Sequence, residues 1–271
     1  SVGAGLIVWN FTQDVQQSIA ALLHDIATPV FAHVVDFLYH DHVKQESTEE
    51  KTLELIRKST EIVSILKAFH LSPEDVGDYH LFPIADNDTP KLSSDRLEYT
   101  LGNIFHYGFS TREDVKRLYD NLCVGTNEEG KPEIMFTDLN SAVTFAQLSL
   151  DCSKIYVSDE DRYAMQMLAE LLRDAISSHI LTESDLMRTE PEVIDRFTAN
   201  STIAARWKQF QAYHKTYLST GGPNARIIQA KRRHINPYIE NSGRVTQLCP
   251  EFKHQLQLFL SGSFDYYVTG E

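Results

Sequence analysis

Along most of this chain, apolar residues recur at helical spacing behind side chains suited to start a helix. That pattern predicts a mainly α fold. Leu6, Ile7, Trp9, Val15, Ile19, Leu22 and Leu23 read as one or two helices running into His24. Pro29 restarts a helix with Val30, Phe31, Val34, Phe37 and Leu38 on its inner side, and Thr48, Glu49 and Glu50 open a third carrying Leu53, Ile56, Ile62, Ile65 and Leu66. Ser72-Pro73-Glu74-Asp75 is a further start signal: Ser caps, Pro suits the first helical position, and the acids favour the positive end of the helix dipole. Residues 82–90 read as a loop, Ser94 as the cap of a helix from Asp95 to about His106, and Ser110 or Thr111 as the cap of another through Leu122. After a turn at 126–130 and one strand at 132–136, helices are expected at 137–152, 158–179, 182–188, 189–197 and 203–214. Four of these five open on Ser or Thr followed by acids.

The end of the chain changes character. Gly221-Gly222-Pro223-Asn224 is a loop, 225–239 mixes β-branched and basic residues, and a helix at 252–260 is followed by an apolar stretch at 264–268. The expected division is a helical domain over 1–215 and a small α+β region over 216–271. With 42% hydrophobic residues in 271, the chain has material for one substantial core or two smaller ones. A formal net charge of −13 argues against duplex nucleic acid as a partner, which needs clustered Lys and Arg. The basic cluster Lys231-Arg232-Arg233-His234, with Arg226 and Arg244, reads mainly as a solvated surface strand. Cys123, Cys152 and Cys249 are widely spaced and odd in number, which fits a reducing cytoplasm. The apolar opening at 2–9 is too short to span a bilayer and has no secretory flank, so no membrane partner is expected. Starting at Ser1 inside a helical pattern, the chain reads as a trimmed version of something longer.

The chemistry concentrates at His24-Asp25, which ends the apolar helix Ile19-Ala20-Ala21-Leu22-Leu23 and precedes Thr28-Pro29. An imidazole and a carboxylate there offer nitrogen and oxygen ligands to one divalent ion. A second pair, His40-Asp41, has no apolar stretch behind it and reads as a solvated helix end. Asp95, at a helix start, reads equally well as a ligand or as an acid favoured by the helix dipole. His33 reads as a catalytic group or as a core histidine, and Asp36, one turn on, could accept its hydrogen bond and fix its tautomer. Arg96 is either a phosphate clamp or a solvent-facing helix residue.

The run from Ile19 through His24-Asp25-Ile26, with Phe31-Ala32-His33-Val34-Val35-Asp36 after it, resembles the central signature of the HD superfamily of metal-dependent phosphohydrolases. Asp95-Arg96-Leu97-Glu98-Tyr99 is similar to the Asp-x-x-(Asp/Glu)-Tyr motif of the deoxynucleotide triphosphohydrolase-like branch. The resemblance covers roughly residues 1–200. It implies an HD-domain helical bundle with metal ligands His24, Asp25 and Asp95, catalytic groups His33 and Asp36, and substrate contacts from Arg96 and Tyr99. The family's first ligand is a His followed by Ser and a Gly-containing apolar helix, and Ser1-Val2-Gly3-Ala4-Gly5-Leu6 resembles what comes just after it. The branch also has a His where this chain has Thr28 and another near Thr48-Glu49, with His40 and His42 as stand-ins from nearby. Release of triphosphate from dNTPs is therefore not expected.

The function expected is metal-dependent hydrolysis of a nucleotide or other phosphate ester. The ion is Mn, Fe, Mg, Ni or Zn without distinction, the partner is a phosphorylated small molecule, and self-association is left open. The alternative is a non-catalytic HD module that binds a nucleotide or a protein partner.

Overall fold

The computed structural model describes residues 1–39 and 51–271. It is mainly helical, with two small sheets. In chain order the helices are α1 (Val2–Thr12), α2 (Val15–Leu23), α3 (Val34–Leu38), α4 (Thr52–Lys58), α5 (Thr60–Ala68), α6 (Pro73–Val76) and α7 (Ser94–His106). They continue as α8 (Arg112–Asp120), α9 (Leu139–Tyr156), α10 (Asp159–Ser177), α11 (Glu190–Ala199), α12 (Ser201–Ala212), α13 (Val245–Leu248) and α14 (Pro250–Ser261). The strands are β1 (Leu122–Thr126), β2 (Pro132–Phe136), β3 (Thr216–Ser219), β4 (Tyr238–Ile239), β5 (Gly243–Arg244) and β6 (Tyr267–Gly270). The chain forms two compact units. One comprises 1–26, 51–154 and 233–261, and the other 27–50, 155–232 and 262–271.

In the first unit, α1 and α2 form a helical hairpin. Asp14 caps α2 by accepting from the Gln17 N–H at 3.1 Å. Gly5 permits the close approach, because a β-carbon there would lie 3.1 Å from the Ser18 carbonyl and 3.2 Å from Leu22 Cβ. Ala20, Ile56, Leu66, Val76 and Tyr79 close a core beneath α2, with Ile19, Leu23 and Ile26 against it. Removing these side chains from water stabilises the unit by roughly 1.5–3 kcal/mol per large aliphatic group. The same unit contains a four-stranded sheet ordered β1-β2-β4-β5. β1 and β2 are antiparallel, with Leu122 opposite Phe136, and β4 joins β2 in parallel at Phe136 and Ile239.

In the second unit, α3, α10, α11 and α12 surround Phe37, Leu168, Leu172, Val193, Phe197 and Trp207. Antiparallel β3 and β6 complete it. Arg162 is fully buried there, donating to the Val157 carbonyl at 3.1 Å and the Tyr266 hydroxyl at 3.1 Å, pairing with Asp159, and lying 4.3 Å from the Phe264 ring centre.

Several local expectations change. No helix starts at Pro29: Phe31 and Ala32 take left-handed backbone angles of 58° and 44°, and α3 begins only at Val34. Packing explains the turn, since the Phe31 ring sits 6.3 Å from those of Phe197 and Trp207. The helix expected from Thr48 has its start outside the described residues. Its remainder is divided at Ser59, whose extended backbone caps α5 through the Ile62 N–H. Residues 122–126, where the sequence predicts a helix ending at Leu122 and a turn beginning at Thr126, form a strand, and Ser93, not Ser94, caps α7. The pair His40-Asp41 and the stand-in His42 lie outside the described residues.

Candidate metal centre

His24 follows the last residue of α2, and its ring is held from both sides. Nδ1 lies 2.7 Å from the Ala21 carbonyl, which can only accept, so Nδ1 carries a proton and donates it. Nε2 therefore points the other way, 3.0 Å from Asp25 Oδ2 and 3.1 Å from Asp95 Oδ1. Asp95 comes from 71 positions further along the chain. The imidazole is 7% exposed, and the Tyr79 ring packs edge-on against it at 5.4 Å.

Burial opposes a charge on His24, but hydrogen bonds and charge from Asp25 and Asp95 outweigh it and push the ring up to about 10. Burial likewise acts to raise Asp25, and is outweighed by His24 and by Ser1, whose hydroxyl donates at 2.9 Å; Asp25 drops to about 2. The two carboxylates thus concentrate negative charge on one nitrogen.

Among the described residues, no group of three or more His, Cys, Asp and Glu side chains is arranged so that it could hold a metal ion as it stands. The present three touch directly, with the cationic ring balancing the two acids. Their side-chain types, one imidazole and two carboxylates, are nonetheless ones a divalent ion takes. With Nδ1 committed to Ala21, loss of the Nε2 proton would leave a lone pair facing the carboxylates.

Asp95 is the second residue of α7 and is set by the turn before it. Its N–H donates to the Ala85 carbonyl at 3.3 Å, while Ser94 donates through N–H to Ile84 at 2.8 Å and through its hydroxyl to Ala85 at 3.0 Å. Arg96, 13% exposed, turns its fork into the same turn. Its Nη1 lies 3.0 Å from Asp86, 2.8 Å from the Asn87 side chain and 3.1 Å from Ser93 Oγ, and Nη2 donates to the Asn87 carbonyl. Burial lifts the Tyr99 hydroxyl above its ordinary range, with Arg233, Asp95, Arg96 and Asp86 contributing nearby charge.

In the second unit, His33 stands at the N-terminus of α3 with Nδ1 3.0 Å from Asp36 Oδ2. A carboxylate accepts, so Nδ1 carries a proton and donates it. Asp161, in the first turn of α10, reads from sequence only as a helix-start acid. Burial raises it to about 6 against the opposing charge of His33.

The basic cluster departs from the solvated strand expected of it. Arg244 is buried and pairs with Glu133 and Glu128, Arg226 pairs with Glu170, and Arg232 lies 3.9 Å over the Phe264 ring. Each guanidinium meets a partner far away in sequence, which no local pattern announces.

Among the described residues, no helix is long and apolar enough to cross a membrane. No protein-family model matches the sequence. The chain is 25% identical over 203 residues, 74% of its length, to YdhJ of Bacillus subtilis, an uncharacterized protein, and spans 60% of that relative. It is also 30% identical over 126 residues, 45% of its length and 35% of the relative's, to a protein of Cordyceps militaris named metal-dependent phosphohydrolase cns2. Over that part, the chain is related to a metal-dependent phosphohydrolase.

Proposed function

We propose that this chain is the metal-holding part of an HD-type phosphohydrolase, acting on a nucleotide or another small phosphate ester. One observation carries the reading: His24 Nε2 faces the carboxylates of Asp25 and Asp95 while its Nδ1 is tied to the Ala21 carbonyl. The partial similarity to a protein named metal-dependent phosphohydrolase supports it.

His24, Asp25 and Asp95 would hold the ion. Once bound, it would supply Lewis acidity toward a phosphoryl oxygen and a lowered pKa for water. The Ala21 carbonyl fixes which ring nitrogen of His24 is offered as ligand. Asp25 and Asp95 supply two negative charges to balance a divalent cation. Asp36 orients the ring of His33, a group suited to taking or giving a proton. Tyr99 and Arg96 serve the substrate side, with Arg96 exchanging one of its bonds to Asp86, Asn87 or Ser93 for a phosphate oxygen.

The test is bound-metal analysis together with phosphate release from a panel of phosphomonoesters and nucleotides, comparing the natural sequence with Asp95→Asn. The natural chain is expected to retain metal and release phosphate, and the variant to lose both. Release by the variant at the natural rate would overturn the proposal.

A further inference from the structure

The turn that delivers Asp95 to His24 is secured from outside itself. Within the turn, the Asn87 amide donates to the Pro83 carbonyl at 2.9 Å and the Leu92 carbonyl at 3.1 Å, and Ser93 Oγ donates to Asp86 at 3.0 Å. Two bonds from its backbone then anchor it, one to β2 and one to the segment just before β4. The Leu92 N–H donates to Glu133 Oε1 at 3.1 Å, and the Asn236 N–H donates to the Pro90 carbonyl at 2.9 Å.

Glu133 lies on β2 and has no exposure. Its carboxylate also accepts from the Asn127 amide at 2.8 Å and from both Arg244 Nη atoms at 2.6 and 2.7 Å. Arg244, on β5, donates to the Asn236 carbonyl at 3.1 Å and to Glu128 at 2.8 and 3.0 Å. One ion pair therefore touches both anchors: Glu133 holds Leu92 directly, and Arg244 holds Glu133 and the residue that holds Pro90.

A buried ion pair is weak evidence for stability, because apolar side chains of similar volume often serve as well. What an apolar pair cannot do is present a carboxylate oxygen to a backbone N–H at a fixed point. Here that N–H belongs to Leu92, three positions before Asp95. A displaced turn displaces the Asp95 carboxylate, and groups behind metal ligands typically change ion affinity by about 10- to 100-fold when removed.

We propose that Glu133 and Arg244 are positioning residues of the metal centre. They fix the turn that aims Asp95, and ion affinity depends on them although neither is a ligand. This rests on the metal reading above.

The experiment is a Mn2+ titration in which free ion is counted by its electron paramagnetic resonance signal, with thermal unfolding followed in parallel. Glu133→Leu combined with Arg244→Met removes the pair without leaving a buried charge alone, and Glu128→Gln alters only the outer arm of Arg244. The double variant is expected to stay folded yet bind Mn2+ at least about tenfold more weakly, while Glu128→Gln binds as the natural chain does. A folded double variant with the natural isotherm overturns this inference and leaves the metal reading intact. A natural chain that leaves all Mn2+ free overturns both. Should the double variant fail to fold, Glu133→Asp retains the charge and withdraws the acceptor by one methylene. The same weakening is expected of it, and an unchanged isotherm overturns the inference.

Discussion

Asp36 is closed off from solvent, while His33, whose Nδ1 it holds at 3.0 Å, is 47% exposed. A buried carboxylate behind an open imidazole orients the ring and leaves Nε2 as the nitrogen that faces outward. Asp36→Asn is expected to lower kcat for phosphate release by about 10²-fold, with KM changed far less. His33→Asn should do the same, and the double variant should lose little more, since the two act as a unit. Steady-state kinetics on the metal-loaded protein check this, and full kcat in either single variant would remove His33 from the reaction.

Metal binding should appear as stability. An ion that binds only the folded chain adds about 2.7 kcal/mol when present at about a hundred times its Kd. Differential scanning calorimetry should show the natural sequence melting several degrees higher with saturating Mn2+, and Asp25→Ala showing no such rise. Equal rises would mean that Asp25 is not a ligand.

Thr28 bears on the substrate. A threonine hydroxyl donates a hydrogen bond but does not titrate near neutral pH, so it cannot protonate a leaving group as a histidine does. Activated phosphomonoesters should be turned over faster than dNTPs, with inorganic triphosphate absent from the products. Rapid triphosphate release from any dNTP, followed by phosphorus NMR, would show that another group supplies the proton.

Asp161 gives a pH dependence of known sign. Burial raises it from 3.8 to about 6 in the folded chain. Its protonated form is thus favoured by folding, and the stability this brings is full below pH 3.8 and lost as the pH rises through about 6. Asp161→Asn removes the penalty. The variant should exceed the parent by on the order of 1 kcal/mol at pH 8, after discounting for partial exposure, and match it near pH 4. Urea unfolding at both pH values is the measurement, and equal stability at pH 8 would mean that the carboxylate is solvated.

Local patterns make much of the fold legible. Ser72 with Asp75, Thr182 with Asp185, and Thr189 with Glu192 all form reciprocal caps, and each stands in the sequence as Ser or Thr with an acid three positions on. The meeting of Asp95 with His24 is legible only through resemblance, since 71 positions of chain separate them. β1 is hidden because Leu122-Cys123-Val124-Gly125-Thr126 is short and contains Gly, and its strand character comes from pairing with β2. Phe31 reads as part of a helix because its apolar spacing fits one, whereas its ring is placed by Phe197 and Trp207. Arg244 reads as solvated because its partner Glu133 lies 111 positions away.

Each of the two units draws on three separated stretches of chain. During synthesis, β2 waits about a hundred positions for β4, and β3 waits some fifty for β6. Phe136, buried on β2, therefore lacks its neighbour Ile239 until β4 has left the ribosome. A nascent chain stalled before that point is an aggregation hazard, and production of this protein should respond more to slowed translation or added chaperone than to changes in its surface residues.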